Sequence, residues 1–230
     1  MDKENKVLEL LNVTYYYQTG EQRLTILEDA CFAFERGKLY TIVGPSGCGK
    51  TTTLTLAGAL ENPKSGEILF HGKPLQEVGY TKYRSDKIGI VFQAYNLLPY
   101  LTPLQNLLVA MEITSNPIKD KKAYGKKLLG RMGISEDQMK RRIQKLSGGE
   151  QQRIAIARAI AADPEIILAD EPTGNLDHET AGEIIAIFKE LAHKDGKCVI
   201  AVTHSLFFAG EADVVVQLEN KKLLPQEGQL

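Results

Sequence analysis

Eight consecutive residues, Gly44-Pro45-Ser46-Gly47-Cys48-Gly49-Lys50-Thr51, have the types and spacing of a loop that cradles phosphate, G-x-x-x-x-G-K-[ST]. Its glycines let the backbone curl until N–H groups face an anion, and a helix that follows offers the same anion its positive end. Lys50 would reach the β- and γ-phosphates, and the Thr51 hydroxyl would ligate Mg²⁺. Cys48 fills a free position of the pattern and is assigned no catalytic role, although a thiol near a helix start is a candidate for raised reactivity.

A second segment, Ile166-Ile167-Leu168-Ala169-Asp170-Glu171, is an apolar strand that ends in two acids. Asp170 is expected to hold Mg²⁺ directly or through water, and Glu171 to polarise a water for in-line attack on a γ-phosphate. A third, Leu146-Ser147-Gly148-Gly149-Glu150-Gln151-Gln152-Arg153, reads locally as a capping box, with Ser147 as the cap and Glu150 returning the bond. Two glycines in a first turn cost about 1 kcal/mol each relative to alanine. A stabilising cap would not choose them, whereas bare N–H groups at a helix start suit close approach of an anion.

These residues need elements to place them. Short β-like runs come first, at Val7–Val13, Leu24–Leu27 and Cys31–Phe34. Lys38–Val43 reads as a buried strand that breaks into the glycine loop, and a helix follows from about Gly49 to Leu60. Further strands are expected at Glu67–Phe70, Ile88–Phe92, Glu165–Ala169, Lys197–Thr203 and Asp213–Glu219. Helices are expected from Ser147 to about Ala162 and over His178–His193, with a helical pattern between Pro103 and Arg142. The lysines of that stretch (Lys119, Lys121, Lys122, Lys126, Lys127) read as a solvated helix face. Strands separated by helices predict an α/β fold with a mainly parallel sheet. Right-handed crossovers then bring four strand ends to one edge, carrying the glycine loop, Gln93, Asp170 and His204. One composite site follows.

Composition sets the outer bounds. With 230 residues, 43% hydrophobic and 25% charged, the chain fits a single domain over 1–230, with a helical insert at roughly 95–145. Twenty-eight basic against 29 acidic residues leave a net charge of −1, so no overall basic field points to nucleic acid. Three cysteines (Cys31, Cys48, Cys198) lack metal-type spacing and suit a reducing cytosol. The charged amino terminus has no apolar signal core. No stretch approaches the roughly 18 apolar residues of a membrane span, so a membrane role would be peripheral.

Gly44–Thr51, Gln93, Leu146–Gln151, Ile166–Glu171, Asn175-Leu176-Asp177 and His204, in this order, resemble the nucleotide-binding subunit of ABC transporters. The resemblance covers nearly the whole chain. It implies a P-loop NTPase core with an antiparallel β subdomain on the N-terminal side and a helical insert. It also implies ATP hydrolysis with Mg²⁺ and two copies sandwiching two ATPs, the glycine loop of one facing Ser147–Glu150 of the other. By the same resemblance Gln93 touches Mg²⁺ and the attacking water, and His204 contacts the γ-phosphate. Thr52 joins the phosphate loop, and Asp177 links the two sites while also suiting a helix cap. An aromatic is expected to stack on adenine; aligning the first strand favours Tyr17 and leaves Tyr15 open. The implied partners are a second copy and an integral-membrane permease at the cytoplasmic face of the membrane, with room for an adaptor or periplasmic or extracellular partner.

Phe92–Pro99, Leu101–Asn106 and Ala169–Asp177 are similar to the lipoprotein-releasing and macrolide-exporting branch of that family. Ser205, where an Asp usually follows the histidine, and Ile143, where a Pro is common, depart from it. A soluble ABC-type ATPase of DNA repair or translation is the competing reading. The 53 residues between Gln93 and Ser147 leave no room for the long coiled coil those proteins usually carry. A P-loop kinase or GTPase would not explain Leu146–Arg153.

Overall fold

The computed structural model describes residues 5–115 and 118–226. A long hairpin opens it, β1 (Lys6–Thr19) and β2 (Gln22–Glu35), turning through Gly20 at φ 61°. Two of the β-like runs expected separately, 24–27 and 31–34, are therefore one strand; Asp29 at φ 45° marks an irregularity within it. After β3 (Leu39–Val43) and α1 (Lys50–Ala57), β4 (Ser65–Phe70) and the short β5 (Lys73–Pro74) join that hairpin. The result is a four-stranded antiparallel sheet in the order β2-β1-β4-β5. Two short turns, α2 (Leu75–Val78) and α3 (Tyr80–Lys82), lead into β6 (Ile88–Val91).

The helical insert follows β6 as α4 (Pro103–Glu112) and α5 (Lys121–Arg131). A reciprocal capping box of Thr102 and Gln105, with Pro103 in the first turn, starts α4; the Asp120 side chain caps α5. As expected, Lys119, Lys122, Lys126 and Lys127 lie on the surface, and Lys121 pairs with Glu112 at 2.9 Å. The insert shares a core with the main body: Leu107, Met111, Leu128 and Leu129 pack with Ile154, Ile156 and Phe188. The chain continues through α6 (Gly148–Ile160), β7 (Ile166–Asp170), α7 (His178–His193), β8 (Cys198–Val202) and α8 (Leu206–Gly210). It closes with β9 (Val214–Glu219) and an edge strand absent from the sequence expectation, β10 (Lys222–Pro225).

The second sheet has the order β10-β9-β3-β8-β7-β6, all parallel except β10. Its central strands are apolar on both faces, as a sheet covered on both sides requires. The register aligns their carboxyl ends: Ile42 pairs with Val202, Val202 with Asp170, and Ala169 with Val91. Gly44, His204, Asp170 and Gln93 therefore leave the sheet within two residues of one line. None of the described helices is long and apolar enough to cross a membrane.

Candidate active site

A cleft of about 620 Å³ lies at this sheet edge. Among the residues lining it are Lys50, Thr51, Gln93, Asp170, Glu171 and His204. The loop that forms one wall needs its glycines. Gly47 and Gly49 sit at φ 77° and 107°, and a Cβ on Gly49 would lie 2.1 Å from the Ile26 side chain. Lys50 is buried, and its Nζ donates to the carbonyls of Gly44 (2.9 Å) and Pro45 (3.1 Å), which wraps the loop around a cation. Cys48 is half-buried beneath the loop, its Sγ 2.9 Å from the place of a Cβ on Gly44.

Opposite the loop, the Thr51 hydroxyl donates to Asp170 Oδ1 at 3.2 Å. Burial pushes the Asp170 carboxyl above its ordinary value, against the Thr51 bond and the Lys50 charge. A carboxylate whose ionised form is disfavoured by burial gains from a cation placed beside it. Glu171 adopts the left-handed region (φ 44°), rare off glycine, and its N–H donates to Val202 O at 3.0 Å. That turn aims its carboxylate at the end of β8. Oε2 accepts from the His204 N–H at 3.1 Å, and Oε1 lies 3.5 Å from His204 Nε2. The Asn175 amide donates to Gln93 O at 3.4 Å.

The aromatics separate cleanly. Tyr15 is buried, 3% exposed, with its ring edge-on to Tyr17, and burial and Glu61 push its hydroxyl up to about 12. Tyr17 is 43% exposed, lines the cleft and shares a 3.1 Å hydrogen bond with Thr52. Of the two, only Tyr17 presents a ring to the cleft. Leu24, its cross-strand partner, and Ile26 extend the apolar wall.

The Ser147 segment lies outside this lining. The expected capping box is present: Ser147 Oγ accepts from Glu150 N at 3.3 Å, and Glu150 Oε2 accepts from Ser147 N at 2.6 Å. The other Glu150 oxygen accepts from the Gln138 amide. Both oxygens are thus turned onto their own chain, and the Ser147 N–H bond leads in holding the carboxyl below its ordinary value. The two glycines differ. Gly149 is buried, and a Cβ there would lie 2.5 Å from Thr180 Cγ2, whose hydroxyl is fixed on Asp177 at 2.7 Å. Packing of α6 on α7 therefore gives Gly149 a reason of its own, beside the expectation that both glycines serve an anion. Gly148 is exposed and meets only the end of the Tyr95 side chain, at 3.1 Å, and Leu176 beyond it. Gly149→Ala is expected to lower stability by about 1–3 kcal/mol. Gly148→Ala should change it by less than about 1 kcal/mol. Urea unfolding of the two variants checks this; equal effects would refute the packing account. Asp177 caps α7 through Thr180 N at 3.0 Å, as foreseen for its capping role.

The family model for ABC transporters matches residues 27–174, a span that holds the loop, Gln93, the Ser147 segment and the Asp170–Glu171 pair. The chain belongs to the ABC transporter ATP-binding family. It is 47% identical over 221 residues to an uncharacterized ABC transporter ATP-binding protein of Bacillus subtilis, YclH, covering 96% of this chain and 97% of that one. It is 38% identical to the lipoprotein-releasing system ATP-binding protein LolD of Nitrobacter winogradskyi, over 95% of each chain. The macrolide export ATP-binding/permease protein MacB 2 of Aeromonas hydrophila is also 38% identical, across 96% of this chain but 34% of that longer protein. A solved dimeric bacterial ABC transporter cassette superposes with a TM-score of 0.84 at 36% identity, covering 94% of this chain and 96% of the other. The cassette is thus a nucleotide-binding ATPase subunit of the ABC type, and its α/β core with an added antiparallel sheet is the fold of that family.

Within the cassette, Leu24, Ile26 and Gly174 line the cleft without having been foreseen. The turn at Gly20 carried a signal for Leu24, because it fixes the hairpin register that sets Leu24 opposite Tyr17.

Proposed function

We propose that the cassette hydrolyses ATP as a pair of copies, each completing the other's site, beneath a separate integral-membrane permease at the cytoplasmic face of the membrane. The observation that carries this is the split within one chain: a phosphate cleft built by Gly44–Thr52, and an exposed cap at Ser147–Gly148 outside its lining. A bare helix start presents N–H groups to an anion, so a second copy related by a two-fold axis can bring its cap to the first copy's γ-phosphate. A cassette of Methanocaldococcus jannaschii, 35% identical, was solved as a dimer in a post-hydrolysis state bound to ADP and Pi, which supports the arrangement.

Thr51 and Asp170 are hard oxygen donors of the kind Mg²⁺ takes, with Gln93 beside them and phosphate and water oxygens filling the remaining positions. The ion would neutralise charge developing on the transferred phosphoryl group. Lys50 holds the phosphates, Tyr17 stacks on the base, Glu171 polarises the attacking water, and His204 orients Glu171 toward the γ-phosphate. Asp177 stands on the loop that faces the partner copy. A groove lined by Phe92, Leu98, Val109 and Ile113 runs beside Gln93, with Ile113 75% exposed, and suits an apolar helix of the permease. The likeness to LolD and MacB 2 favours an export or force-transmitting system over import.

Light scattering tests the pairing. Glu171→Gln, which slows hydrolysis, is expected to dimerise in ATP and not in ADP. Adding Gly148→Asp should abolish the dimer by repelling the phosphate, while an acid in a first helical turn leaves α6 intact. A double variant that still dimerises in ATP would refute the shared site.

A further inference from the structure

Arg158 lies on α6, ten residues after Gly148, and is half-buried; burial presses its guanidinium below the ordinary arginine range. Its Nη2 donates to Tyr95 O at 3.0 Å, and its Nη1 donates to Asn96 O. Tyr95 and Asn96 are consecutive non-glycine residues in the left-handed region, at φ 59° and 50°, directly after the Gln93 turn. Such a pair costs conformational energy and persists only when neighbours hold it. The held residue also reaches the other end of the same helix, because the Tyr95 hydroxyl lies 3.1 Å from the place of a Cβ on Gly148. The segment after Gln93 is thus fastened to α6 by its backbone at Arg158, and its Tyr95 side chain lies against Gly148.

We propose that Arg158 is a positioning residue for hydrolysis: by gripping the Tyr95–Asn96 turn, it sets Ser147 and Gly148 at a fixed place relative to Gln93. The two groups belong to different halves of the reaction on the reading above, on which this inference rests. Gln93 lines the chain's own cleft, whereas Ser147 serves the partner's. Lysine replaces the planar fork poorly, because the guanidinium presents two donors in a fixed plane, one to each carbonyl, and an ammonium has no such plane. Arg158 also borders the groove beside Gln93, so a segment seated there would press on the turn that Arg158 holds.

The isolated protein tests this with Arg158→Lys and Arg158→Met. ATP is bound first by Tyr17, the glycine loop and Asp170, none of which Arg158 touches, so KM should stay within about twofold of wild type. The kcat is expected to fall about tenfold in Arg158→Lys and about a hundredfold in Arg158→Met, the scale on which small misplacement of reacting groups acts. Amide hydrogen exchange should quicken at 94–98 and stay unchanged in β7 and β8. Tyr95→Ala should reproduce part of the kcat loss. Unchanged kcat in both Arg158 variants would overturn the proposal, as would faster exchange across the whole molecule, which would assign Arg158 to general stability. Glu171→Gln alone is the control for the pairing: if it stays monomeric in ATP, the shared site fails, while the kcat against KM split and the exchange at 94–98 still decide Arg158.

Discussion

Glu171→Gln is expected to keep ATP binding and to cut hydrolysis by about 10²–10⁴-fold, the usual worth of a positioned base. The substitution is close to isosteric. Its amide oxygen can still accept from the His204 N–H, the 3.1 Å bond that now holds Oε2, and the left-handed turn at φ 44° is untouched. What disappears is the capacity to draw a proton from water. The loop, Lys50 and Thr51, proposed to hold the phosphates, stay in place, so affinity should not change. Phosphate release measures the first effect and titration with a fluorescent nucleotide the second. Near-normal turnover would remove Glu171 from the chemistry. Lost affinity alongside lost turnover would instead mark it as a structural carboxylate that pins β7 to β8.

The strands that carry chemistry were legible because each is a short apolar run that stops at a polar residue. The strands end at Val43, Asp170 and Val202, within a residue of the expected Val43, Ala169 and Thr203, and α7 spans His178–His193 as read. Parallel pairing then made the convergence of Gly44, Gln93, Asp170 and His204 a consequence of topology rather than of any single motif. What escaped depends on contacts between residues far apart in sequence. Nothing near Gly149 announces Thr180, thirty-one positions on, so the packing against α7 that also demands a glycine there was not legible. The same holds for Tyr15 and Tyr17, alike in sequence and on one face of a strand, which burial alone tells apart. Strand β10 was passed over because Lys222–Pro225 is short and ends in a proline, a residue suited to an edge, where its missing N–H costs little. Nothing in the sequence marks Arg158, because the carbonyls it grips, Tyr95 and Asn96, lie 63 and 62 positions away.

Lys50→Ala is expected to bring turnover to background, a loss of at least about 10²–10³-fold, and to weaken ATP binding as well. The two substitutions thus separate by their effect on affinity. On the proposed mechanism Glu171 acts on the water, whereas the Lys50 ammonium is the cation that the loop encloses, held 2.9 Å from Gly44 O and 3.1 Å from Pro45 O. Alanine leaves those carbonyls without their donor and takes the cation out of the loop. It also removes the Lys50 field that holds down the Asp170 carboxyl, so this acid should titrate higher still. Lys50→Arg is not expected to restore function, since a planar fork does not fit a space closed around one nitrogen. Thermal unfolding with and without ATP gives the readout, because a ligand that binds only the folded state raises stability in proportion to the logarithm of its concentration over Kd. Wild type should show a clear ATP-dependent rise in Tm and Lys50→Ala a much smaller one, from a similar starting Tm. Equal shifts and equal phosphate release would separate Lys50 from the nucleotide altogether.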